Sequence, residues 1–101
     1  MLIEIYGKDI YNELDFHRQF NKYAQWTYYG HNLNALWDVL RDMELPTHLI
    51  WYDSEISKAR LGERFTLIVS VLEDAYKDSS ELYLRAPKFY TPDEKFTYEL
   101  K

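Results

Sequence analysis

The sequence predicts an α/β fold, a small three-stranded parallel sheet packed with helices, and three observations carry that reading. Short β-prone runs alternate with longer stretches of helical period, which leaves room for a crossover between successive strands. Turn formers punctuate the chain at Gly7, Gly30, Pro46, Gly62 and Pro87, and no linker or internal repeat divides it. The length of 101 residues is that of one domain, which buries about 60 to 70% of its unfolded surface and needs no staple.

Leu2-Ile3-Glu4-Ile5-Tyr6 is β-prone and closed by Gly7, which makes it the first strand. Asp15 supplies an N-cap for a helix whose stripe is Phe16, Phe20, Tyr23 and Ala24 and whose end falls near Gln25. The second helix is the best specified. Gly30 turns the chain into it, and the Asn32 side chain can accept an orphan amide of its first turn. Leu33, Leu36, Trp37 and Leu40 recur at i, i+3, i+4 and i+7, so they face a core and leave Asn34, Asp38 and Arg41 on the other face.

Pro46 breaks that helix, and His48-Leu49-Ile50-Trp51-Tyr52 reads as a second, largely buried strand. The charge-rich stretch from Asp53 to Arg64 reads as a solvated connection. Beyond Gly62, the residues Phe65, Ile68, Val69, Leu72, Ala75 and Tyr76 return to helical spacing for about three turns. Glu81-Leu82-Tyr83-Leu84-Arg85 is expected as the third strand, stopped by Pro87. Phe96-Thr97-Tyr98-Glu99-Leu100 alternates, which suggests an extra C-terminal edge strand with Phe96, Tyr98 and Leu100 inward.

The composition narrows the function. There is no cysteine, so neither a disulfide framework nor a thiolate metal site is available. His17 and His48 belong at packed faces, with no pair at i, i+4, and no metal or other cofactor is expected. The N-terminal residues lack a basic segment followed by a long apolar run, and no stretch approaches the roughly 18 apolar residues of a membrane span. A cytoplasmic protein with no membrane contact is expected. The formal charge is −5, which disfavours nucleic acid as a direct ligand and favours a basic partner.

The run Tyr28-Tyr29-Gly30-His31-Asn32-Leu33-Asn34-Ala35-Leu36-Trp37-Asp38-Val39-Leu40 resembles the segment that the barstar family of intracellular ribonuclease inhibitors presents to its nuclease. Ile5-Tyr6-Gly7 resembles the end of that family's first strand. Asp15-Phe16-His17 with Phe20 resembles its first helix, and Asp74-Ala75-Tyr76-Lys77-Asp78 the acidic end of its last. The likeness covers residues 1–86, read as a barstar-like domain, with 87–101 as a C-terminal extension packed on it.

The resemblance implies an inhibitor that does no chemistry and occludes the active site of a cytotoxic or secreted ribonuclease, barnase-like or a toxin, as a monomer forming a 1:1 heterodimer. An immunity protein for a nuclease toxin is a special case. Asp38 matches the aspartate that sits where a substrate phosphate would. Tyr28, Tyr29, Gly30, Asn32, Asn34, Trp37, Asp42, Asp74 and Asp78 complete the expected partner-binding set.

Two departures stand out: Asn34 occupies a position that is acidic in the family, and Arg41-Asp42-Met43-Glu44 replaces a Gly-Trp pair. On the residues alone, Trp37 is core and reaches a partner only at its edge, and Tyr29 is as much a core cap as a contact. The alternatives are an acidic interaction or regulatory module for a partner that is not a nuclease and, more remotely, a phosphate-ester enzyme using Asp38 with His31 or His17. The enzyme reading lacks a Gly-rich phosphate loop and an oriented nucleophile.

Overall fold

Alternation along two short strands sets the floor of the molecule. The computed structural model describes residues 1–24 and 28–101. In β1 (Leu2–Tyr6), Ile3 and Ile5 are buried while Leu2 and Tyr6 are exposed; in β2 (Thr47–Tyr52), Thr47, Leu49 and Trp51 are buried. A short 3-10 turn (Gly7–Asp9) follows β1, and the helices are α1 (Glu13–Asn21), α2 (Leu33–Asp42), α3 (Ser54–Leu61), α4 (Glu63–Ser80) and the single turn α5 (Leu82–Arg85). The last element is β3 (Phe96–Leu100). All three strands are parallel in the order β1-β2-β3, with Ile3 opposite Leu49 and Leu49 opposite Tyr98. The expected α/β fold with a three-stranded parallel sheet is therefore present. Among the described residues no helix is long and apolar enough to cross a membrane.

The third strand is not the one expected. Residues 81–85 form a helical turn, with the Arg85 amide donating to the Glu81 carbonyl at 3.2 Å and Ala86 to Leu82 at 2.8 Å. Leu84 stays 66% exposed, so the segment has no face to bury. The place beside β2 goes to Phe96–Leu100, whose Phe96 is 1% exposed and whose Tyr98 hydroxyl donates to Glu73 Oε1 at 2.7 Å. The C-terminal edge strand thus completes the sheet rather than adding to it. Its inward face fades toward the end, since Leu100 is exposed.

Within the stretch 53–64, expected as a solvated connection, Ser54–Leu61 fold as α3, whose small polar side chains have buried partners, and Glu63 and Arg64 already belong to α4. The Trp51 indole donates to Ser57 Oγ at 3.0 Å, and the Ser57 hydroxyl donates to the Gly7 carbonyl at 3.0 Å. A Cβ at Gly7 would lie 2.5 Å from the Tyr52 carbonyl oxygen, so only glycine allows the approach. Trp51 itself is fully buried between Phe16 and Phe65, with ring centroids 4.9 and 5.0 Å away.

Helix α1 starts earlier than expected. Its cap is Asn12, whose Oδ1 accepts from the Asp15 amide at 3.0 Å, while the Asp15 carboxylate accepts from the Tyr11 amide at 2.9 Å. The helix ends at Asn21, and its expected end near Gln25 lies outside the described residues. Helix α4 runs for 18 residues, well beyond three turns, and packs on both α2 and β3.

Because Phe96 fills the core from the last strand, Phe96→Ala is expected to cost about 3 to 5 kcal/mol, read from urea denaturation. A loss below about 1 kcal/mol would make the C-terminal strand a dispensable tail.

Candidate functional site

Helix α2 is amphipathic by sequence and is capped at its N-terminus. The Ala35 amide donates to Asn32 Oδ1 at 2.8 Å, as the sequence predicts for the cap. Leu36, Val39 and Leu40 are buried, and Leu33 and Trp37 pack half-buried against the core. Asn34, Asp38 and Asp42 are left exposed on the outer side. The Arg41 guanidinium lies 5.2 Å over the Trp37 ring, so the indole offers little more than its edge.

The two tyrosines before α2 part company. Tyr28 is 91% exposed and Tyr29 is 3% exposed. Of the two readings of Tyr29, core cap and contact, the burial is that of a cap: its ring packs 5.3 Å from that of Phe20, and its hydroxyl is bonded to His17 Nδ1. The sharp turn expected at Gly30 falls instead on His31, whose φ of 54° is left-handed.

His17 is fully buried and bonded at both ring nitrogens. Its Nε2 is 2.8 Å from Glu13 Oε2, and Arg64 Nε donates to Glu13 Oε1 at 2.5 Å. A carboxylate only accepts, so Nε2 carries the proton and donates to Glu13, leaving Nδ1 to accept from the Tyr29 hydroxyl. Burial pushes the His17 imidazole below its ordinary value, against the pull of Glu13, and pushes the Tyr29 phenol up. Burial would raise the Glu13 carboxyl, but its bonds from Arg64 and His17 outweigh that and hold it low. This relay went unseen in the sequence, although Glu13 and His17 at i, i+4 were a usable sign of it.

The exposed residues form one concavity. Tyr28, Gly30, Asn32, Asn34, Asp38 and Asp42 line a hollow of about 370 Å³ with Ala35 and Val39 at its base. Asp42 also lines a neighbouring groove of about 510 Å³ that runs between the end of α2, α4 and α5. Asp78 lies in that groove, whereas Asp74 is exposed on α4 and lines neither. The hollow therefore presents two carboxylates one helical turn apart beside an exposed aromatic ring. Such a surface can accept hydrogen bonds from guanidinium or ammonium groups.

Fold and surface together define a small α/β domain that presents carboxylates from a core-anchored helix. The Barstar family model, described as Barstar (barnase inhibitor), matches residues 1–88. A protein of Bacillus subtilis (strain 168) named "Putative ribonuclease inhibitor YrdF" is 32% identical over 77 residues, covering 75% of each chain. This chain belongs to the barstar family. Strand β3 lies beyond the matched residues.

Tyr29→Phe removes the only donor to His17 Nδ1 among the described residues, and is expected to cost about 1 to 3 kcal/mol as a buried acceptor is stranded. The folded imidazole is held below its ordinary value of 6.5, so the unfolded chain takes up a proton first. The contribution of neutral His17 is therefore complete above pH 6.5 and declines as pH falls below it. Urea midpoints between pH 7.5 and pH 5.5 should show the decline in the wild type and a flatter profile in His17→Gln.

Proposed function

We propose that this chain is a protein inhibitor that binds a ribonuclease and occludes its active site, protecting the cell that makes it. The observation that carries the reading is Asp38, exposed on a helix whose opposite face is fixed in the core, and set in a hollow with Asp42, Asn34 and Tyr28. A ribonuclease must hold a phosphodiester with cationic side chains in a partly dehydrated cleft. A carboxylate offers a guanidinium fork the same pair of acceptor oxygens as a phosphate does. Asp38 takes the phosphate's place, Asp42 adds charge one turn away, and Tyr28 supplies rigid contact area at low entropy cost.

The family membership and the name of the Bacillus subtilis relative support this assignment. The inhibitor performs no catalytic step and acts in the cytoplasm as one copy per nuclease. Its target is a cytotoxic or secreted ribonuclease, including a toxin for which the chain would serve as immunity protein. The overall charge of −5 speeds encounter with a basic cleft.

The test is inhibition of barnase. Asp38→Ala should keep its unfolding midpoint and bind the inhibited enzyme at least about 3 kcal/mol more weakly, the scale for leaving a buried charge unpaired. Association of the wild type should also slow steeply as salt rises. A change below about 0.5 kcal/mol in Asp38→Ala, within the noise of surface substitutions, removes Asp38 from this role.

A further inference from the structure

The groove beside the hollow carries a charge arrangement of its own. Asp78 of α4 stands between two guanidiniums: Arg41 Nε of α2 is 3.8 Å from its Oδ2, and Arg85 Nη2 of α5 is 3.8 Å from its Oδ1. Arg85 Nη2 also donates to the Asp78 carbonyl at 3.4 Å, and its Nη1 is 3.7 Å from Glu81 Oε2. Each carboxylate oxygen of Asp78 thus faces a different arginine, and the four side chains together are neutral. Stacking over Trp37 at 5.2 Å keeps the Arg41 guanidinium close to α2 while it reaches Asp78. Asp38, Asp42 and Asp74 have no cation within 4.0 Å among the described residues.

We propose that Arg41 is a selectivity residue: together with Arg85 it holds Asp78 in internal pairs, and so withholds that carboxylate from a partner docked on Asp38 and Asp42. The inference rests on the ribonuclease-inhibitor reading and names the partner that reading leaves open. The preferred ribonuclease has its active-site cations gathered within one helical turn, about 5 to 6 Å, opposite α2. A nuclease whose cations extend toward Asp78 meets Arg41 instead of a free carboxylate. To reach Asp78 it must break the internal pair and leave Arg41 facing its own positive groups, which disfavours it relative to the compact site. The pair itself is half-exposed and loosely spaced, so it contributes little to folding and its effect falls on recognition.

The experiment is a double-mutant cycle with barnase as the probe, using Arg41→Gln, Asp78→Asn and the combination, each checked by circular dichroism for an intact fold. Glutamine keeps part of the stem over Trp37 while removing the charge. The proposal assigns barnase to the class whose cations can reach Asp78 once Arg41 is removed, so Arg41→Gln should bind it about two- to fivefold more tightly than wild type, and the gain should vanish in the Asp78→Asn background. No gain, or an equal gain in both backgrounds, overturns the proposal; the second result would make Arg41 a nearby positive charge and nothing more. Asp38→Ala, measured in parallel, reads the inhibitory site separately. Lost binding there with no gain from Arg41→Gln overturns the selectivity role alone, whereas no effect from any variant overturns both.

Discussion

The hydrogen bond between the Tyr29 hydroxyl and His17 Nδ1 is the constraint on which the candidate surface depends. Residues 28–32, entering α2, belong to no strand or helix, and Tyr29 is the one fully anchored side chain among them. With Tyr29 inward, Tyr28 is turned out, and the left-handed backbone at His31 then delivers Asn32 to the cap of α2. From that point the amphipathic pattern takes over. Burying Leu36, Val39 and Leu40 leaves Asp38 and Asp42 no direction but solvent. A surface fixed in this way loses little conformational entropy when a partner docks.

The anchor is only as firm as the network behind it. Tyr29 leans on His17, His17 on Glu13, and Glu13 on Arg64 of α4, so the loop is tied through α1 to the longest helix. No buried side-chain polar atom of the described residues is left without a partner, so hydrogen bonds offset the desolvation of a polar chain that runs through the core. A second set of bonds, from Trp51 through Ser57 to Gly7, joins β2, α3 and the turn after β1. The two networks meet at the Phe16 ring, which packs on both His17 and Trp51, but hold different things: one orients the proposed binding loop, the other closes the scaffold.

What the sequence made legible was local. The strands read at residues 2–6 and 48–52, the cap at Asn32 and the two faces of α2 all follow from spacing within a dozen residues. The third strand was not legible, because a short apolar run such as Leu82-Tyr83-Leu84 fits a strand or a helical turn equally, and only pairing with β2 decides. Helix α3 was hidden because Ser54 and Ser57 look like surface residues until their distant acceptors are known. The opposite fates of Tyr28 and Tyr29 had no periodic signal to reveal them. Asp78 was readable as an acid on α4, but not as one already held by Arg41 and Arg85, since those contacts come from two other helices.

The proposed role stands or falls on whether Asp38 occupies a phosphate position in the target. The most direct measurement is the affinity of the wild-type chain for barnase at rising concentrations of a nucleoside monophosphate that fills the enzyme's phosphate site. The account predicts strict competition, with the apparent dissociation constant growing linearly with nucleotide concentration. An affinity that stays unchanged while the nucleotide saturates the enzyme would contradict it, because the chain would then be docking away from the site it is proposed to occlude.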